Sequence, residues 1–331
     1  MSNRAQDGLK IQEKTLKKLQ GYPQIVSDYY YVLAASREPY TCLQYIDEVA
    51  RLYKFLTDTP QIYDITQVTE TDIARYMQHI TTKKDGSGEL CYAGRQKIWS
   101  ILNSFFGYLK KKRLVPENVM DYIDRPPQRD NVKRILLTED DISKIIETVS
   151  TKPKSDAYCG DFRWARNTCI LTLLIHTGMR VTALTQIDCS DINLEKRELT
   201  IIDKRHKTIR YALNDAECNA IFRWLLYRTK YLTAANATTD ALFISTKGNR
   251  LVTSEMRYLV KYYSNKALGY EISPHKLRAA FCSILYDKTG DIEFVREAVG
   301  HASSQVTQRY IVKKESAQKQ AAEMLENIFT A

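Results

Sequence analysis

Ser273-Pro274-His275-Lys276-Leu277-Arg278 has the form of a helix start, with proline near the first turn. A spacing of three places the His275 imidazole and the Arg278 guanidinium on one helix face, where both can address the same anion. A solvated surface pair shows the same spacing, so the motif acquires meaning only from what surrounds it. Downstream, Ile292, Val295 and Val299 form the apolar stripe of a helix that ends at Gly300, followed at once by His301. Ser303 or Ser304 opens another helix, and this one carries Tyr310, nine positions after His301. The set supplies a hydroxyl that can attack, cations to hold a phosphate, and imidazoles to move or share protons. Those are the requirements of phosphoryl transfer without a metal.

Upstream of it, Cys169–Leu174 is apolar all round and predicts a buried helix running into His176-Thr177-Gly178-Met179-Arg180. Arg180 there is either a two-pronged phosphate ligand or an arginine capping its own helix C-terminus. Leu199-Thr200-Ile201-Ile202 and Ile209-Arg210-Tyr211-Ala212-Leu213 predict a β-hairpin closed by the charged turn Asp203-Lys204-Arg205-His206-Lys207. Leu242-Phe243-Ile244 is the candidate third strand. On that turn Lys204 can reach into a groove or protonate a leaving oxygen, and most charged turns are only solvated.

The first part of the chain reads as helical. Residues 1–18 are polar and mixed in charge and form a short arm. Ile46, Val49, Ala50, Tyr53 and Leu56 recur at helical spacing, and so do Ile98, Ile101, Leu102, Phe105 and Leu109. Thr69 and Thr138 each stand three residues before an aspartate, as N-caps do. Lys83–Gly88 reads as a loop, and Pro126-Pro127 marks a linker that places the domain boundary near residue 130.

The net charge of +10 is spread over both parts, with 19 basic against 16 acidic residues in 1–130 and 30 against 23 in 131–331. Such a balance fits a polyanionic partner and equally fits two ordinary basic domains. The seven cysteines are scattered and never form a CxxC pair, so reduced thiols and no zinc site are expected. No apolar run approaches a membrane span and Met1–Asp7 lacks a signal-peptide core, which leads us to expect a cytoplasmic protein.

Taken in order, Arg180, Lys204, His275-x-x-Arg278, Gly300-His301 and Tyr310 resemble the tyrosine recombinase (phage integrase) family. His176–Arg180 looks like that family's first arginine box and Ser273–Arg278 like its second. Thr289-Gly290-Asp291-Ile292, Val299–Ser304 and Thr307–Tyr310 look like its nucleophile region. The resemblance is specific over about residues 135–315 and loose over the helical first part. It implies a mainly α fold with a small three-stranded sheet, an α+β catalytic domain and a two-domain C-shaped DNA clamp. On this reading residues 19–130 form the core-DNA-binding domain and 131–331 the catalytic domain, with an amphipathic tail helix over about 314–331.

The implied chemistry is cleavage and rejoining of DNA through a 3′-phosphotyrosine on Tyr310, with no cofactor and no metal. Arg180, Arg278, His301 and His275 would meet the phosphate charge, and His275 is also the candidate acceptor of the tyrosine proton. Lys204 is the candidate acid, with Lys207 as the fallback because the register of the turn is open. Arg95 and Lys97, on the helix that ends in Lys110–Arg113, and Arg205 and Lys207 on the hairpin turn are candidate DNA contacts. The implied partners are double-stranded DNA with specific core sites, three further copies in a tetramer on two sites, and an accessory bending or directionality factor. No membrane partner is implied.

Two positions depart from the family pattern. Ala183 stands where an acidic residue is usual, and Ala279 follows the second arginine where a polar residue is usual. The text around Thr289-Gly290-Asp291 favours integration and excision of a mobile element. Xer-like dimer resolution, type IB topoisomerase-like relaxation and a DNA-binding factor that has lost catalysis are the alternatives.

Overall fold

The computed structural model describes residues 3–58, 62, 64–81, 90–127, 137–153, 160–202 and 208–300. The chain divides into two compact units, Met1–Lys133 and Arg134–Ala331. The Lys83–Gly88 segment, the hairpin turn with Lys204, Arg205 and Lys207, and the region with His301, Tyr310 and the tail lie outside the described residues.

The first unit is helical: α1 (Asn3–Leu19), α2 (Gln24–Ala34), α3 (Pro39–Asp58), α4 (Glu70–His79) and α5 (Tyr92–Lys111). Its core is the apolar stripe of α3 (Ile46, Val49, Leu52, Leu56) set against Ile98, Leu102, Phe105 and Leu109 of α5. Both stripes follow the helical spacing of the sequence. The polar segment expected as an arm is α1, which lies on α3 and buries Thr15 and Leu19. Thr69 caps α4 as predicted. Its hydroxyl accepts from the Asp72 N–H, and the Asp72 carboxylate accepts from the Thr69 N–H at 3.0 Å. Asp124–Pro127 is non-helical, as the prolines require.

The second unit holds α6 (Glu139–Ser150), α7 (Gly160–Thr177), α8 (Val181–Thr185), β1 (Ile192–Asn193), β2 (Glu198–Ile202), β3 (Thr208–Ala212), α9 (Asp215–Ala235), α10 (Thr253–Leu268), α11 (Pro274–Thr289) and α12 (Ile292–Val299). Thr138 and Asp141 form the predicted capping box of α6. Helix α7 is the predicted buried element, with α6, α9 and α11 packed around it. The hairpin pairs antiparallel with Leu199 opposite Tyr211 and Ile201 opposite Ile209, and all four face the core.

One strand assignment is corrected. The third strand is Ile192–Asn193, paired antiparallel with β2, and not Leu242–Ile244. Leu242, Phe243 and Ile244 are fully buried, and isolated bridges together with side chains satisfy their backbone instead of a continuous ladder: the Leu242 N–H donates to the Ile187 carbonyl, the Phe243 carbonyl accepts from Leu251, and Ile244 bridges Arg250. The Trp224 indole donates to the Leu242 carbonyl at 2.9 Å and Arg166 donates to the Ile244 carbonyl at 2.9 Å. Buried carbonyls must find donors somewhere, and here a tryptophan and an arginine supply those that the isolated bridges do not.

Candidate active site

Helix α7 ends at Thr177, and the chain turns sharply through Gly178 at φ +58°. A side chain at Gly178 would be strained in this left-handed conformation, and its Cβ would stand 2.5 Å from Cδ1 of Phe281 on α11. Glycine therefore lets α11 close onto the turn. Beyond it Arg180, half-buried, is the N-cap residue of α8, and its carbonyl accepts from Ala183 and Leu184 at 2.9 and 3.0 Å. Ala183, at the family's acidic position, is buried in the core.

Helix α11 opens at Ser273 with Pro274 in its first turn, as predicted. Arg278 is 1% exposed, so it is not a member of a surface pair. Its guanidinium donates to the Gly178 carbonyl at 2.5 Å and to the Val299 carbonyl at 2.9 Å. One buried side chain thus ties together the turn that leads to Arg180, the helix that carries His275, and the end of α12 just before Gly300-His301. Two of its five N–H groups hold the plane of the fork before any phosphate arrives.

Gly300 closes α12 in the left-handed conformation at φ +67°. A Cβ at this position would fall on Ile209 Cδ1 of β3, so the hairpin packs against the glycine that precedes His301. The strands that flank the Lys204 turn are in this way held beside the third motif.

His275 is exposed as a residue, yet protein surrounds enough of its ring for burial to lower its pKa below the usual histidine range. The charges of Arg278, Arg180 and Arg257 act in the same direction. The imidazole is therefore neutral at pH 7, with one nitrogen able to accept a proton. Arg180 and Arg278 are thus both near enough to His275 for their charges to act on it; spacing along the helix suggested this for Arg278, and the family resemblance implied it for Arg180. Arg257, on the exposed side of α10, joins them without having been predicted; nothing in its local sequence distinguishes it from other surface arginines. His176, in the last turn of α7, also has its pKa lowered by burial, and its Nδ1 lies 3.4 Å from Nδ2 of Asn214.

A cavity of about 530 Å³ opens between α6, α7 and α9, with Trp164, Thr172, His176 and Arg223 in its wall. Neither Arg180, His275 nor Arg278 lines it, so the cavity and the arginine cluster are separate features. Among the described residues, no His, Cys, Asp and Glu side chains gather into a metal-holding group, and the six described cysteines are free thiols. No described helix is long and apolar enough to cross a membrane. In the first unit Arg95 is half-buried in the first turn of α5, while Lys97 is exposed and donates to the Gln44 side chain on α3 at 2.8 Å.

Residues 136–316, more than half of the chain, match the phage integrase family. The chain belongs to this family. It is a tyrosine recombinase, an enzyme of site-specific DNA strand cleavage and rejoining. Among curated relatives, tyrosine recombinase XerC of Pediococcus pentosaceus is 26% identical over 286 residues, which cover 84% of this chain and 89% of the relative. Among solved structures, the XerH site-specific recombinase bound to a palindromic difH substrate has a TM-score of 0.69 at 22% identity, covering 87% of this chain and 81% of the other. The Tn1549 transposon integrase in complex with transposon right-end DNA has a TM-score of 0.66 at 16% identity, covering 92% and 99%. In this recombinase the fold is mainly helical with one small three-stranded sheet, the architecture expected from the motifs.

Proposed function

We propose that this recombinase cuts DNA with Tyr310 as nucleophile. The tyrosine oxygen forms the new bond to phosphorus, the bond to the 5′ oxygen breaks, and the tyrosine proton passes to the neutral His275. Lys204, or Lys207, gives the departing 5′ oxygen its proton. Arg180 and Arg278, with His301, meet the charge on the nonbridging oxygens, where each such ligand lowers the barrier by about 3–4 kcal/mol. The phosphate stays covalent throughout, so a second 5′ end can reverse the step without ATP. The observation that carries this reading is the Arg278 guanidinium, which joins the turn before Arg180 and the end of α12 before His301 through two carbonyls.

We further propose that residues 19–130 grip the core site and 131–331 carry catalysis. Exchange between two duplexes requires four strand cuts, and one nucleophile per copy gives a tetramer on two sites. A DNA substrate places the protein in the cytoplasm. The biological event we favour is integration and excision of a mobile element, supported by the Thr289-Gly290-Asp291 text and the likeness to a transposon integrase. A second reading, resolution of chromosome or plasmid dimers, is favoured by the XerC relative, which matches over most of both chains. The DNA flanking the gene separates them. A plasmid carrying those flanks as candidate element ends yields a circular excised product under the first reading. Under the second, only a plasmid dimer with two direct copies of one chromosomal site is resolved.

A further inference from the structure

The first unit carries two exposed side-chain contacts at α3, one across to α5 and one to the turn that precedes α3. Lys97 Nζ donates to Oε1 of Gln44 at 2.8 Å across the two helices. In the turn before α3, the Arg37 guanidinium lies 4.6 Å from the centroid of the Tyr45 ring and donates to its hydroxyl at 3.1 Å. Both bonds are exposed to solvent. Asp47, three residues beyond Gln44, is already engaged by Lys18 of α1 at 2.5 Å, so this neighbouring carboxylate has its own cation.

These contacts fix directions. An ammonium can only donate, so the oxygen of the Gln44 amide turns to Lys97 and the NH₂ is left as the group presented to a partner. The ring contact and the hydroxyl bond restrain the Arg37 fork, so less freedom is lost when it engages a ligand. Gln44 therefore presents an oriented donor from α3 and Arg37 one from the turn that leads into it, and the major groove of B-DNA admits a helix. In that groove guanine shows two acceptors, adenine and thymine one each beside other groups, and cytosine a donor.

Resting on the reading of the chain as a DNA recombinase, we infer that Gln44 and Arg37 read base edges in the major groove and select acceptor-bearing bases, guanine foremost. Lys97 is then a positioning residue that sets the Gln44 amide, and not the backbone contact its charge suggests. A lysine recruited only for phosphate binding has no need of an uncharged amide as its partner. A lysine that orients a reading group does.

The test is binding-site selection with the full chain from a pool of randomised duplexes, for wild type, Gln44→Ala, Arg37→Ala and Lys97→Ala. Gln44→Ala and Arg37→Ala each flatten the preference at one or two adjacent base pairs, by roughly ten-fold or more, and leave the rest of the site intact. Lys97→Ala frees the amide to turn, so the base pair read by Gln44 comes to admit bases that offer a donor. Unchanged preferences in the Gln44 and Arg37 variants overturn the inference. So does a Lys97→Ala variant whose affinity falls equally for all sequences with a smaller salt slope, since that marks a phosphate contact. A parallel assay for covalent adduct on the selected duplex keeps the two readings apart. An adduct with unchanged base preferences rejects the groove-reading cluster alone, and a wild type that selects no sequence and forms no adduct rejects the recombinase reading beneath it.

Discussion

Arg278→Ala should damage this enzyme twice, and the structure gives a size for each loss. The side chain is 1% exposed and donates to the carbonyls of Gly178 and Val299 at 2.5 and 2.9 Å. Alanine leaves both carbonyls without that donor, at about 1–3 kcal/mol each. Relief of a buried cation offsets part of this, so a net loss of about 3 kcal/mol is taken. For a unit of this size that lowers Tm by about 6–12 °C. Arg180→Ala keeps the backbone carbonyl that caps α8, since those bonds do not pass through the side chain. Both variants nevertheless lose cleavage by roughly 10²–10³-fold if each guanidinium meets the phosphate charge. The assay pairs thermal unfolding with single-turnover cleavage of a nicked duplex, at a temperature where every variant is folded. An Arg278→Ala protein with wild-type Tm would refute the buried tie. One that is destabilised but cleaves at the wild-type rate once folded would reduce Arg278 to a structural post.

Gly178→Ala combines left-handed backbone strain of about 1–2 kcal/mol with overlap on the Phe281 ring, and Phe281→Ala in the same chain should recover part of the lost Tm. A Gly178→Ala protein as stable as wild type would mean that the turn relaxes freely. His275 is neutral at pH 7 because its pKa is depressed by burial and by Arg278, Arg180 and Arg257, so Arg257→Ala should raise it towards the free value of about 6.5. Histidine proton shifts followed through a pH titration read this directly, and a fall or no change would remove Arg257 from the site. The same sign makes the folded state bind fewer protons than the unfolded chain. The stability His275 and His176 support above about pH 6.5 is therefore lost as pH falls through their lowered folded values, and His275→Asn should flatten that part of a Tm-against-pH curve.

Much of the fold was legible because it rests on local rules. Thr69 and Thr138 cap the helices they were expected to cap, and the apolar residues of α3 and α5 face one core at the spacing read from the sequence. The hairpin was visible in its alternation, with Ile209 and Tyr211 inward between exposed neighbours. What escaped the sequence was decided by tertiary context. Ile192–Asn193 is too short for any strand signal, while Leu242–Ile244 has a strand's composition but meets only isolated bridges, with Trp224 and Arg166 completing its backbone bonds. His275 and Arg278 share a helix face, yet the rotation over three residues leaves one at the surface and takes the other into the core. Arg257 belongs to the cluster through the packing of α10, which no spacing along the chain encodes.

Trapping the covalent intermediate decides whether Tyr310 is the nucleophile. Wild-type protein is incubated with a nicked duplex whose short 5′ fragment diffuses away after cleavage, and the product is digested and its cross-linked peptide identified by mass spectrometry. The expected product is a 3′-phosphate ester on Tyr310 in the wild type, with no adduct from Tyr310→Phe. An adduct that survives in Tyr310→Phe, or maps to another residue in the wild type, would contradict this assignment.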